Sequence, residues 1–160
     1  MSRMTEKPMR ERPLLRFFMR SPIYLYRLRL GWLFGERFLM LTHTGRKSGL
    51  PRYVVLEVVN QDEASGVYYV AAAWGKKADW YRNILATPQV NIQVKKRRFD
   101  ALAGNISQEE AIENLWTYAQ KYPTAFTQLI KTMLGEVLPP TYETCQKLAE
   151  VVPLVALRPV

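Results

Sequence analysis

Two apolar runs on either side of a glycine-bounded loop are the feature that most constrains how this chain folds. The first run covers residues 38–41 and the second covers residues 53–59. Both are short and bounded by turn residues, which is typical of strands rather than helices. The loop between them, residues 45–49, reads Gly-Arg-Lys-Ser-Gly. We therefore predict two strands, residues 38–43 and 52–59, joined by this loop as a hairpin.

The same loop has the composition of an anion-binding site. Arg46 can hold a phosphate through two parallel hydrogen bonds, and Lys47 adds a second fixed positive charge. Ser48 can donate its hydroxyl to a phosphate oxygen, and glycine lets backbone N–H groups approach a ligand closely. The spacing of a Walker phosphate-binding loop is absent. On local chemistry alone, a solvated hairpin turn is the alternative interpretation.

Charge and residue counts limit the possible classes of function. The net charge of +9 indicates an anionic partner, which can be nucleic acid, acidic lipid or a polyanionic small molecule. The single cysteine, Cys145, excludes an intrachain disulfide. Together with the single histidine, His43, it cannot form a His/Cys metal site. We therefore predict structural roles for both residues and no bound metal.

The N-terminal end carries much of the positive charge, with eight basic and two acidic side chains in residues 1–30. We predict a mobile tail at residues 1–12, a short helix, and a second helix from Ser21-Pro22 to about residue 35. This basic, aromatic helix either lies on an anionic membrane or covers the fold with its arginines in water. No apolar run approaches the roughly 18 residues of a membrane span. We predict a cytoplasmic protein, either free or attached peripherally to the inner face of the cell membrane.

Further strands and helices follow the hairpin. Residues 90–94 alternate between apolar and polar, as in a half-buried strand, and Ser107 with Glu110 forms a capping box that begins a helix. The basic residues 95–98 are predicted to form the solvated tip of a hairpin, with a nucleic-acid patch as the alternative. The other predicted elements are a turn at 60–66, a strand at 67–73, a helix capped by Asp79 and ending before Pro88, a strand at 99–103, a helical end near Tyr122, a helix at 125–134 stopped by Gly135, a loop at Pro139-Pro140 and a strand at 151–157.

Two segments together resemble a known family. Residues 41–52, Leu-Thr-His-Thr-Gly-Arg-Lys-Ser-Gly-Leu-Pro-Arg, resemble the leading motif of the deazaflavin (F420)-dependent nitroreductases, within the flavin and deazaflavin oxidoreductase superfamily. Residues 80–88, Trp-Tyr-Arg-Asn-Ile-Leu-Ala-Thr-Pro, resemble that family's second motif. The resemblance implies a mainly β, α+β fold, namely an FMN-binding-like split β-barrel flanked by N-terminal and C-terminal helices. Residues 1–160 would form a single domain, with a basic tail and helix at 1–35 and the deazaflavin-binding barrel at 36–160.

The resemblance also implies roles for individual residues. The cation loop would hold the phosphate and acidic tail of F420, and later residues would line the cofactor groove. The full set of implied cofactor contacts is Arg46, Lys47, Ser48, Arg52, Ala72, Trp74, Gly75, Lys76, Trp80 and Asn83. Tyr118 or Tyr122 would orient the substrate or supply a proton. The residues alone also allow structural roles. Trp80 would then be a core tryptophan, Asn83 a capping or turn asparagine and Arg52 a surface strand cation. Tyr118 and Tyr122 would be ordinary helix aromatics.

The implied function is an F420-dependent oxidoreductase or nitroreductase. It would transfer a hydride from reduced F420 to a conjugated, apolar acceptor such as a quinone, an enone or a nitroaromatic. The excess positive charge suits F420, which carries a phosphate and an oligoglutamate tail. Two alternatives remain, an oxidoreductase of the same fold that uses FMN and a non-catalytic binder of fatty acid or membrane lipid. A small apolar acceptor is the expected partner, nucleic acid is not expected, and the sequence does not indicate an oligomeric state.

Overall fold

The computed structural model describes residues 37–160, and the six strands in this part of the chain close into a barrel. They are β1 (Phe38–Thr44), β2 (Pro51–Asp62), β3 (Val67–Ala71), β4 (Gln89–Val94), β5 (Arg97–Asn105) and β6 (Leu154–Pro159). Their order around the barrel is β1, β2, β3, β6, β5, β4, and every neighbouring pair is antiparallel. The predicted barrel fold is confirmed, as is the predicted hairpin of its first two strands.

The helices of the described chain follow β3 and β5. They are a short 3₁₀ turn (Gly75–Lys77), α1 (Asp79–Ala86), α2 (Gln108–Lys121), α3 (Pro123–Leu134) and α4 (Tyr142–Val151). The first two lie between β3 and β4, and the last three lie between β5 and β6. The mixed α+β class is therefore confirmed, with helices at the C-terminal end of the chain.

The interior of the barrel forms the first apolar core. Side chains alternate between the two faces of a strand, so Leu39 and Leu41 of β1 share the inner face with Leu56 and Val58 of β2. Helix α1 adds Trp80, Tyr81 and Ile84 to this core. Burying a side chain of this size stabilises the fold by roughly 1.5–3 kcal/mol. The burial fixes α1 against the barrel, and with it the second motif.

A second apolar core lies between α2, α3 and α4 and the outer face of the barrel. It contains Val59 of β2, Tyr118 of α2, Phe126 of α3 and Leu148 of α4. Cys145 is fully buried in the same cluster, and burial raises the pKa of its thiol to about 11. A thiol in that environment stays protonated and is a poor nucleophile. Its predicted structural role agrees with this position.

Several helix boundaries follow the predicted local chemistry. Ser107 accepts a hydrogen bond from the Glu110 N–H at 3.1 Å, which confirms the predicted cap of α2. Gly135 ends α3 in the left-handed conformation, with φ of 69°. The prediction that Asp79 caps α1 is wrong, because the capping position is Ala78 and no side chain caps it. Asp79 is instead the first helical residue, where a carboxylate suits the positive end of the helix dipole.

Helix α4 was not predicted, because Pro139-Pro140 indicated only a loop. Thr141 caps this helix by accepting a hydrogen bond from the Thr144 N–H at 3.2 Å. Because α4 runs to Val151, the last strand begins at Leu154 and not at residue 151 as predicted. The missed signal was a threonine cap followed by apolar residues at helical spacing.

The strand predictions are correct in number and type but differ at their ends. The predicted turn at 60–66 is shorter, because β2 continues to Asp62 with an irregularity in its pairing near Val58. The strand predicted at 67–73 ends at Ala71. The basic residues 95–98 lie at a hairpin tip, but Arg97 already belongs to β5.

The predicted tail, N-terminal helices and membrane-binding surface lie outside the described residues. None of the helices in residues 37–160 is long and apolar enough to cross a membrane.

Candidate cofactor-binding site

The loop of residues 45–49 is held in one conformation by its own hydrogen bonds. The Gly45 N–H donates to the Leu50 carbonyl at 2.8 Å, and the Gly49 N–H donates to the Gly45 carbonyl at 2.8 Å. Ser48 Oγ accepts from the Leu50 N–H at 3.2 Å. A Cβ added at Gly45 would lie 2.6 Å from Ser48 Oγ, and Gly49 has φ of +71°, so both glycines are required. We call this segment the cation loop.

Asn83 of α1 fastens the cation loop to the barrel. Its Oδ1 accepts from the Arg46 backbone N–H at 3.1 Å and from Arg46 Nη1 at 2.8 Å. Arg46 Nη2 also lies 3.3 Å from Asp79 Oδ1, at the start of the same helix. Asn83 is only 4% exposed. The structure therefore joins the two sequence motifs through one buried amide.

His43 completes this buried network from the end of β1. Its Nδ1 lies 3.1 Å from Asn83 Nδ2, and the residue is buried. Burial, together with the nearby Arg52 guanidinium, lowers the pKa of His43 to about 4, although the Asp79 carboxylate opposes the shift. The imidazole is therefore neutral at physiological pH. The structural role of His43 agrees with the prediction. Nothing in the sequence indicated that His43 contacts Asn83 of the second motif.

Three predicted cofactor cations have exposed side chains in this region. Lys47 lies on the cation loop and Arg52 at the start of β2, and both are exposed. Lys76 is exposed in the 3₁₀ turn, three residues before Asp79. Because Asp79 contacts Arg46, the cation loop and this turn lie against the same end of α1. Their arrangement suits a ligand with more than one negative charge.

The remaining predicted contacts divide between surface and core. Trp74 is 51% exposed, and Gly75 has a positive φ of 73° just after it. Ala72 and Trp80 are buried in the barrel core. These two side chains lie in the core beneath the candidate site, and a direct cofactor contact for them stays a prediction.

The two predicted catalytic tyrosines lie near the middle of β2, beside Glu57. The Tyr118 hydroxyl donates to Glu57 Oε1 at 2.6 Å, and Glu57 forms an ion pair with Arg37 at 3.0 Å. The Arg37 guanidinium lies 4.4 Å from the centre of the Tyr122 ring. Burial and the bond to Glu57 raise the pKa of Tyr118 far above its usual range. Its phenol therefore stays protonated, whereas Tyr122 is the less buried of the two.

Sequence reasoning missed Glu57 and Arg37. Glu57 is the only charged residue in the apolar run 53–59, which was a usable signal. In the structure it faces outward, because its neighbours Leu56 and Val58 belong to the barrel core. Tyr53 and Val55 share this outer face with it. At about 3.3 Å per residue, the outer face spans about 13 Å between Tyr53, beside the cation loop, and Glu57.

A groove of about 690 Å³ borders the cation loop at Gly49 and lies over β1, β4 and β5. It is lined by Thr42, His43, Thr44, Gly49, Pro51, Gln89, Val90, Asn91, Asp100, Ala101, Leu102 and Val160. Two buried atoms in its lining, Thr42 Oγ1 and Asn91 Oδ1, have no hydrogen-bond partner among the described residues. The groove and the outer face of β2 thus both border the cation loop.

Comparisons with known proteins agree with this fold. A family model described as F420H(2)-dependent quinone reductase matches residues 26–132. An F420-H2 dependent reductase (FDR-A) has a similar structure, with TM-score 0.53 and 24% identity over 78% of this chain and 96% of that chain.

Two further structures are similar. A domain-swapped dimer has TM-score 0.54 and 22% identity, over 86% of this chain and 100% of that one. A protein of unknown function from Agrobacterium tumefaciens has TM-score 0.55 and 18% identity, over 88% of this chain and 55% of that one. At these identities the likenesses show the fold.

Proposed function

Because the chain belongs to the F420H(2)-dependent quinone reductase family, we propose that it transfers a hydride from reduced F420 to a quinone. Membership makes the chain an oxidoreductase with coenzyme F420 as its cofactor. The quinone is our inference for the acceptor. Enones and nitroaromatics are related acceptors, because they are also conjugated and apolar.

The observation that carries the proposal is the cation loop fastened to α1. Arg46 donates to Asn83 and pairs with Asp79, and these contacts fix the cation loop against α1. Lys47 and Arg52 remain as exposed cations beside it. Ser48 Oγ accepts a hydrogen bond from the Leu50 N–H, so its own hydroxyl hydrogen can be donated to a ligand oxygen. These donors fit a phosphate and a carboxylate-bearing tail.

The outer face of β2 supports the proposed position of the reaction. Bound reduced F420 supplies the hydride. With its anionic groups held at the cation loop, the apolar outer face over Tyr53 and Val55 leads towards Tyr122 and the Glu57–Tyr118 pair. A span of about 13 Å is of the size of an extended small-molecule cofactor. The loop would thus set the position of the reacting groups near the tyrosines.

The two tyrosines have different proposed roles. A quinone that accepts a hydride also needs one proton on oxygen. Tyr122, partly accessible, would supply or orient that proton. Tyr118 and Glu57 would act through Arg37, whose guanidinium lies against the Tyr122 ring. In this arrangement Tyr118 is a positioning residue.

The function is tested with the purified full-length chain. F420 titration followed by fluorescence should show saturable binding, and FMN should bind much more weakly because it lacks the acidic tail. Reduced F420 should then be consumed fastest with quinones in a panel that also contains enones and nitroaromatics. F420 binding without any acceptor reduction above the rate of the free cofactor would contradict the proposal and favour a non-catalytic binder.

The tyrosine roles give a second prediction. Tyr122→Phe should lower turnover about a hundredfold, the lower end of general-acid effects, with little change in unfolding free energy. Tyr118→Phe should instead lower the unfolding free energy by about 1.5–3 kcal/mol, because a hydrogen bond to a charged group is lost. Urea unfolding and steady-state turnover of both variants provide the measurements. Equal turnover losses without any stability difference would contradict the division of roles.

A further inference from the structure

The amide of Asn83 can adopt only one orientation in this network. The Arg46 backbone N–H and the Nη1 N–H are both donors, and both are directed at the same amide atom. Only the carbonyl oxygen of an amide accepts hydrogen bonds. The oxygen must therefore face Arg46, which leaves the Nδ2 group facing His43.

The orientation of this amide determines the protonation of His43. Asn83 Nδ2 is a donor, so His43 Nδ1 must accept with its lone pair. A neutral imidazole has one N–H, which must then lie on Nε2. A doubly protonated ring would turn its Nδ1–H towards the Asn83 N–H and break the contact. The charged groups around the ring are Arg52 from β2, Arg46 from the cation loop and Asp79 from α1.

We propose that His43 is a positioning residue for the cofactor site, and that its Nε2-protonated imidazole holds Asn83 in the orientation that fastens Arg46 and the cation loop. The residue does not touch the anion itself. It acts through Asn83, the one amide that links β1, the loop and α1. The effect on F420 affinity rests on the proposed function, whereas the protonation of the imidazole does not.

A matched pair of variants separates this role from simple packing. His43→Asn places an acceptor oxygen near the position of Nδ1, whereas His43→Leu fills the space without an acceptor. Without this acceptor the Asn83 Nδ2 group loses its partner and the amide is held by Arg46 alone, so the anchor of the cation loop weakens. The dissociation constant for F420 should rise about tenfold in His43→Leu and stay within about twofold in His43→Asn.

A buried amide elsewhere serves as the control for general destabilisation. Asn114 is 7% exposed and is bonded to Asn60 and to the Glu110 carbonyl, in the second core. Asn114→Leu should lower the unfolding free energy comparably to His43→Leu, yet leave F420 affinity unchanged. The positioning role would be refuted if Asn114→Leu weakened F420 binding as strongly as His43→Leu does. It would also be refuted if His43→Asn bound F420 as weakly as His43→Leu.

A second measurement needs no cofactor. The chain has one histidine, so the imidazole nitrogen signals in an NMR spectrum belong to His43 without further assignment. They should show the Nε2–H tautomer at neutral pH. They should show no titration near pH 6.5, the ordinary pKa of a histidine side chain. In Asn83→Leu the preference for this tautomer should decrease. Finding the Nδ1–H tautomer in the unmodified protein would overturn the inference even if F420 binds as proposed, and absent F420 binding would leave the tautomer result standing.

Discussion

Replacing Lys47 and Arg52 together by glutamine is expected to weaken F420 binding by about a hundredfold or more, without unfolding the protein. Both side chains are exposed, so neither contributes to a core. A hydrogen bond to a charged group contributes about 1.5–3 kcal/mol, and about 1.4 kcal/mol changes affinity tenfold. Two such losses reach at least a hundredfold. Glutamine keeps much of the length of each side chain but replaces the cationic donors by one neutral amide, so the charge-assisted hydrogen bonds are lost.

The control for this double variant is a second pair with the same loss of net charge. Lys131 of α3 and Lys147 of α4 are exposed and lie on helices of the second core. Lys131→Gln with Lys147→Gln should change F420 affinity by less than about threefold, since exposed charges beyond about 10 Å are screened at moderate salt. The affinity is measured by fluorescence titration at two salt concentrations. Equal weakening by both pairs would mean that only the overall field attracts the cofactor, and the cation loop would not be its site.

Much of the barrel can be predicted from the sequence, because the residues that determine each of these elements lie within or next to the element. The glycine pair of the cation loop and the alternation of residues 90–94 each specify their own conformation without help from distant residues. The same holds for the Ser107 cap and the Gly135 stop, whose hydrogen bonds and φ values depend on neighbours in the chain. These elements were predicted within a few residues of their observed ends.

The network of the candidate site depends instead on tertiary contacts that no spacing reveals. Arg46 was predicted to hold the cofactor phosphate, and this contact stays a prediction. The sequence did not indicate that its guanidinium also contacts Asn83 and Asp79, 37 and 33 residues away. Glu57 acquires partners only when β2 packs under α2 and beside Arg37. Such pairings arise when the barrel closes, so a sequence pattern can place the residues in the site but cannot say which of them contact one another.

Lowering the pH from about 7 to about 4 should reduce the unfolding free energy through His43 by up to about 3 kcal/mol. The folded pKa is about 4, below the ordinary value of 6.5, because burial disfavours the charged ring. Between these values the unfolded chain binds more protons than the folded one. The stabilisation is therefore fully present above about pH 6.5 and is lost as the pH falls through the folded pKa.

Carboxylates titrate in the same acidic range, so the contribution of His43 must be measured as a difference. His43→Asn keeps the acceptor for Asn83 but has no titratable ring, so its unfolding free energy should fall less steeply between about pH 6.5 and about pH 4. Urea unfolding of the two proteins across this window gives the two slopes. Parallel slopes would show that His43 is not held neutral by the fold. A steeper slope for the unmodified protein would show that the fold holds His43 neutral and that protonation of this ring lowers the unfolding free energy in that pH range.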